Sequence, residues 1–248
     1  MYLKLFIFLS FSLLYANEPI EWGLLDSSNG LMYLERNLFT GRVYKELDIG
    51  KIEGEYLAGL RHGIWQKYNR IGEPLMLGEY DNGRKTGVWK HWYLNGNNKL
   101  NAKFSDDILD GNYREWYEDG RKAVVAKYEN GKEKDKYLSW HPNGKKAVHA
   151  WFVAGLPDGK YREWYKDGTK RLVIPYENGK EDGTWVQWYP NGKKQMAIDY
   201  VNGVPWGKAR FWYDTGELQI EGDIISETSN GGFMIRDKGG NKRVYEVR

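Results

Sequence analysis

An all-β fold is predicted for this 248-residue chain by a recurring frame, by paired turn residues inside each copy, and by strict two-residue alternation between the turns. The frame is clearest from Gly159, followed by Tyr161, Trp164-Tyr165, Asp167-Gly168, Tyr176 and Asn178-Gly179. It restarts 24 residues later at Gly183 with Trp185, Trp188-Tyr189, Asn191-Gly192, Tyr200 and Asn202-Gly203. Copies open at Gly63, Gly87, Gly111, Asp135, Gly159, Gly183, Gly207 and Gly231, with a shorter one at Gly41. Repetition at such a period marks an array whose units bury their apolar faces only against neighbours. The expected architecture is an elongated, single-layer antiparallel meander of stacked β-hairpins.

The chain begins with Met1 to Lys4, an apolar run from Leu5 to Leu14, and Tyr15-Ala16 before polar Asn17-Glu18. Residues 1–16 read as a secretory signal peptide, because so short an apolar run does not cross a bilayer core of roughly 30 Å as a stable helix. With no cysteine in the chain, disulfides and an N-terminal lipidated cysteine are excluded. The protein is therefore expected to be exported, periplasmic or secreted. Residues 17–40 are less regular and read as an N-terminal cap, 41–230 as the tandem repeats, and 231–248 as a partial repeat and C-terminal cap. End units that close an exposed sheet edge are expected to be atypical.

Numbering each copy from its opening glycine as zero, Asn-Gly or Asp-Gly stands at positions eight and nine (Asn95-Gly96, Asp119-Gly120, Asn143-Gly144). Such pairs supply the positive φ angles of a type I′ turn, so each copy is expected to be a hairpin with a two-residue connection. A second pair at nineteen and twenty (Asn82-Gly83, Asn130-Gly131, Asn178-Gly179) joins each hairpin to the next. Along the second strand, Val124, Ala126 and Tyr128 alternate with polar residues, as do Leu172, Ile174 and Tyr176. Across the turn, positions thirteen, fifteen and seventeen should pair with four, two and zero, adding Trp89, Tyr113, Tyr137, Tyr161 and Trp185 to one buried face.

Position five then falls on the opposite face. It holds Tyr68 and the column Trp92, Trp116, Trp140, Trp164, Trp188 and Trp212. With two strands per copy at ~4.8 Å each, successive indoles would stand about 10 Å apart. One reading is structural, a bulge between positions two and five that turns the ring inward or a column packed under the sheet's curvature. The other is an exposed aromatic ladder that binds a partner, and these six tryptophans are the candidate site.

The Gly-x-Trp/Tyr-x-x-Trp-Tyr-x-Asn/Asp-Gly frame with Tyr-x-Asn-Gly resembles the variant MORN repeat of YwqK-type antitoxin-component-like proteins, over roughly residues 30 to 240. Leu38-Phe39-Thr40-Gly41 looks like that family's entry segment. Asp135 for the opening glycine, Asp107 for the linking glycine and Ala209 for the aromatic depart from it. The resemblance implies a curved sheet of hairpins used for protein or lipid association, without a shared catalytic site.

Chemistry-bearing constellations are absent from the sequence. Glu115 and Glu163, in repeated Arg-Glu-Trp-Tyr, would lie about 20 Å apart, beyond the ~5 to 9.5 Å that paired glycosidase carboxylates need. His62, His91, His141 and His149 show no metal-ligand spacing, and no nucleophile motif or phosphate-cradling glycine loop is present. No cofactor is expected. The balance of 37 Lys plus Arg against 34 Asp plus Glu, interleaved along the copies, does not point to nucleic acid. The expected function is a non-enzymatic scaffold for another protein. The alternatives are an envelope ligand binder for glycan, peptidoglycan or lipid headgroups, in the manner of choline- or glucan-binding repeats, and an antitoxin-like neutraliser. The sequence does not indicate the oligomeric state.

Overall fold

The computed structural model describes residues 16–227, 233–237 and 239–245. The apolar segment read as a signal peptide lies outside these residues, as does part of the C-terminal segment 231–248. The hairpin architecture expected from the repeat is present: inside each of two units, Met1–Thr86 and Gly87–Arg248, the repeat strands pair antiparallel in sequence order, the short strands Leu156–Pro157 and Lys180–Glu181 sharing a partner with the strand that follows each.

In the first unit, strands Gly41–Leu47, Gly50–Leu57, Leu60–Asn69 and Pro74–Asp81 follow one another antiparallel. Strand Ala16–Glu21 departs from that rule and joins Gly41–Leu47 in parallel. Three short strands, Asp26–Ser28, Leu31–Leu34 and Asn37–Leu38, form a small separate sheet. Aromatic rings fill the core: Phe39, Tyr56, Trp65 and Tyr80 are buried. Trp65 lies flat over Gly54, where a Cβ would stand 2.2 Å from the indole, so no larger residue fits there without moving the ring. Trp22 meets Trp65 edge-on at 5.6 Å, and the Arg61 guanidinium sits over Trp22, Trp65 and Tyr80 at 5.5, 5.0 and 5.3 Å. A cation held over several rings adds electrostatic attraction to the burial of its stem.

The second unit repeats one hairpin design. Tyr113 faces Ala126 and Gly111 faces Tyr128; Tyr161 faces Ile174 and Gly159 faces Tyr176; Trp185 faces Ile198 and Gly183 faces Tyr200. The register expected from the alternation therefore holds. Ala126, Ala150, Ile174 and Ile198 are buried beneath aromatic pairs set edge-on or tilted, including Tyr113–Tyr128 at 5.6 Å and Trp185–Tyr200 at 5.8 Å. Sheet faces of this kind gain most of their stability from large side chains lying over small ones. Toward the C-terminal end the core thickens, with Met196, Ile198, Tyr200, Ala209, Ile220 and Ile235 in one cluster.

The two turns of a copy differ, which corrects the expectation of type I′ geometry at both. At Asn130-Gly131, Asn178-Gly179 and Asn202-Gly203 both residues have positive φ, as type I′ requires. At Asp119-Gly120 and Asn191-Gly192 only the glycine does. There the Tyr117 amide bonds to the Arg121 carbonyl and the Gly120 amide to the Tyr117 carbonyl, so the loop has three residues and closes on a left-handed glycine. The Asx side chain caps it: Asp119 Oδ1 accepts from the Arg121 amide at 3.0 Å, and Asn191 Oδ1 from the Lys193 amide at 3.0 Å. Asp135 and Asp107, standing for glycines, keep positive φ at 61° and 67°. The backbone course survives both departures.

A bulge accompanies the longer loop. Glu163 faces Leu172, but the next residue, Trp164, faces Lys170, so Arg171 is skipped. Ala123, Ala147 and Gln195 are skipped in the same way. The extra residue shares the face of position four: Arg171 pairs with Glu163, and Gln187 Nε2 donates to Gln195 Oε1 at 3.0 Å. Among the described residues no bulge falls between positions two and five, where the structural reading puts one; the irregularity lies in the strand opposite the tryptophan.

Candidate binding face

In residues 111–116 and their equivalents, position five follows position four without interruption, and strand alternation puts the tryptophans across the sheet from Tyr113, Tyr161 and Glu163. Each of Trp92, Trp116, Trp140, Trp164, Trp188 and Trp212 is half-buried. Beside them runs a row of exposed lysines, their cross-strand partners: Trp116 with Lys122, Trp140 with Lys146, Trp164 with Lys170, Trp188 with Lys194. Lys170 Nζ also lies 5.8 Å from the Trp188 ring and Lys194 Nζ 5.6 Å from that of Trp212, so each ammonium reaches the indole of the following copy.

The residue after each tryptophan holds the column in place. Tyr93 Oη donates to the Trp116 carbonyl at 2.8 Å, Tyr117 to Trp140 at 2.6 Å, Tyr165 to Trp188 at 2.8 Å and Tyr189 to Trp212 at 2.9 Å. In the copy that has His141, its Nε2 meets the Trp164 carbonyl at 2.8 Å, which requires the proton on that nitrogen. A second ladder links the loops, Asn95 Nδ2 donating to the Glu118 carbonyl and Asn191 Nδ2 to the Asp214 carbonyl, both at 2.8 Å. Asp119 and Asp167 have no amide to give. The Trp-Tyr dipeptide is visible in the sequence, but the tyrosine's role depends on a carbonyl 23 residues further on.

The opposite face is aromatic and acidic. Tyr161 Oη donates to Glu163 at 2.9 Å, and Tyr113 makes the equivalent bond to Glu115. Burial, reinforced by these bonds, pushes the hydroxyls of Tyr113 and Tyr161 well up; burial with nearby Glu133 raises Tyr128 to about 12. All three stay protonated at neutral pH, as hydrogen-bond donors. Among the described residues no cluster of His, Cys, Asp and Glu is placed to hold a metal ion.

These features define a tandem β-hairpin repeat protein with chemically distinct faces. The family described as MORN repeat variant matches residues 157–178 and 181–202, two successive hairpins to which the chain is similar. No curated protein matches the chain.

Proposed function

We propose that this protein is a non-enzymatic interaction scaffold, exported after removal of residues 1–16, whose hairpin array engages another protein. The observation that supports it is the half-buried tryptophan set at one strand position in consecutive copies, with Trp116, Trp140, Trp164, Trp188 and Trp212 braced through their carbonyls. Contiguous aromatic surface on a rigid frame is the usual composition of an interaction site. MORN repeats generally bind proteins or membranes without catalysis, which agrees with this reading for the matched hairpins. Residues 17–40 serve as the N-terminal cap, with Trp22 closing the aromatic core over Trp65. An antitoxin-like role, as in YwqK-type proteins, is the special case in which that partner is a toxin of the same compartment.

The test places a photo-crosslinking residue at Lys146 in the native cell envelope, with a control at Glu115 on the other face. Crosslinks to a defined protein from Lys146 alone support the reading. Crosslinks only to glycan or lipid would favour an envelope ligand binder and overturn it.

A further inference from the structure

Charge that is evenly mixed along the sequence is partly sorted by the sheet. In Tyr-Arg-Glu-Trp the arginine shares the tryptophan face and the glutamate the tyrosine face, because successive side chains point to opposite sides. Glu115, Glu133, Glu163 and Glu181 therefore lie with the tyrosines, the two from position 22 through their pairing with Tyr128 and Tyr176. The tryptophan face holds carboxylates at Glu129, Glu177 and Asp199, but beside the indoles it carries Arg114, Arg162 and the row Lys122, Lys146, Lys170 and Lys194, none of which forms an ion pair within the described residues. His149 reports the local field: burial lowers its pKa first, and Lys136, Arg162 and Lys146 lower it further. A net charge of only +3 conceals a continuous row of cations beside the indoles.

The lysine row has a definite pitch. Two strands per copy at ~4.8 Å set consecutive lysines about 10 Å apart, each beside an indole. A polyproline II chain, with three residues per turn and ~3.1 Å rise, returns a side chain to the same side every ~9.3 Å. An extended β-strand does not, since residues three apart point to opposite sides. We propose that the Trp-Lys rows dock a segment of the partner protein in polyproline II conformation that bears a carboxylate at every third residue. Its carboxylates meet Lys122, Lys146, Lys170 and Lys194, and its prolines lie on the adjacent indoles, as Pro-rich segments do on aromatic grooves. This rests on the scaffold reading and names the chemistry of the partner at that site.

The test uses the full chain and a fluorescein-labelled Glu-Pro-Pro peptide of about six repeats, read by anisotropy. The expected result is binding that falls at least about fivefold for an isomer with its glutamates grouped at one end, since only one lysine would then be matched. Replacing the four lysines together, Lys122→Gln, Lys146→Gln, Lys170→Gln and Lys194→Gln, should weaken binding about tenfold, while Glu115→Gln with Glu163→Gln leaves it within about twofold. Circular dichroism of both variants checks that the hairpins remain. Equal affinity for the grouped isomer, indifference to the lysines, or lysine-dependent binding to phosphatidylglycerol vesicles in place of the peptide would each overturn the proposal. Protein crosslinks at Lys146 without peptide binding would remove this inference and leave the scaffold reading standing; loss of both would remove the two together.

Discussion

The Tyr165 hydroxyl donates to the Trp188 carbonyl at 2.8 Å, tying one hairpin to the next just beyond Leu172 and Gln187, the last ladder pair between them. A carbonyl past the end of a ladder has no regular strand partner on that side, and leaving it without a donor carries a desolvation cost. Tyr165→Phe keeps the ring and deletes only that donor. It should lower the unfolding free energy by about 1 kcal/mol, seen as a lower urea midpoint at unchanged slope. The equivalent change His141→Tyr should be neutral or stabilising, because four other copies place a tyrosine there and satisfy the same carbonyl.

Ala154 is the weak point among the type I′ turns of the second unit. It has φ of 52° where Asn130, Asn178 and Asn202 stand at 50°, 51° and 52° in the equivalent turns. Alanine in the left-handed region is strained by its Cβ, whereas asparagine adopts it readily. Ala154→Asn is expected to stabilise the protein by roughly 1 kcal/mol, measured by the same urea titration. By contrast Gly179→Ala should destabilise by more than that, since it adds φ strain at 82° and sets a Cβ 2.9 Å from Leu156 Cβ. A result of the opposite sign at either position would show that turn strain is not what distinguishes these copies.

How much of this was legible beforehand follows from what each feature depends on. Tyr113 opposite Ala126 was readable because a period of two, anchored at a known turn, fixes both register and face. The loop at Asp119-Gly120 departs from the two-residue connection its sequence suggests, because an Asx-Gly pair signals a left-handed glycine in either hairpin type. The Tyr117 amide bond to the Arg121 carbonyl, with the skipped Ala123 beyond it, shows that the loop has three residues. Tyr165 gave no local signal of its role, its acceptor being contributed by the next copy. The tryptophan column was legible as a column, but its lysine neighbours were counted within a balanced total until the sheet sorted them by face.

His149 sits where the neighbouring copies have Val125, Val173 and Ala197, and its buried Nε2 has no hydrogen-bond partner among the described residues. Its pKa is lowered from 6.5 by burial and by Lys136, Arg162 and Lys146, so the folded state resists a proton that the unfolded chain accepts. The stability linked to this group is fully present above its unfolded pKa and is lost as pH falls through the lower folded value. His149→Val should raise stability at neutral pH by about 1 kcal/mol and flatten the stability profile between about pH 7 and 5. Parallel urea titrations at several pH values check both, and an unchanged slope would exclude His149 as its source.

The acidic aromatic face makes the converse prediction at the other end of the pH scale. Tyr128 is raised from 10.0 to about 12 by burial first, then by Glu133, Tyr137 and Glu115, while Tyr137 and Tyr176 are raised in the same direction. Each of these hydroxyls is neutral in the folded state over a range where the unfolded chain would already release its proton. Their contribution is therefore fully present below the ordinary tyrosine value of about 10 and is lost as pH rises toward 12. The array should lose stability steeply across that interval, with tyrosinate absorbance at 295 nm and loss of the β-sheet dichroism rising together. Glu133→Gln removes the leading charge acting on Tyr128 and should move its titration, followed by carbon-13 labelling of the tyrosine rings, downward while burial keeps it above 10. Tyrosines that ionise near pH 10 with the sheet intact would mean that this face is open to water and not packed as described.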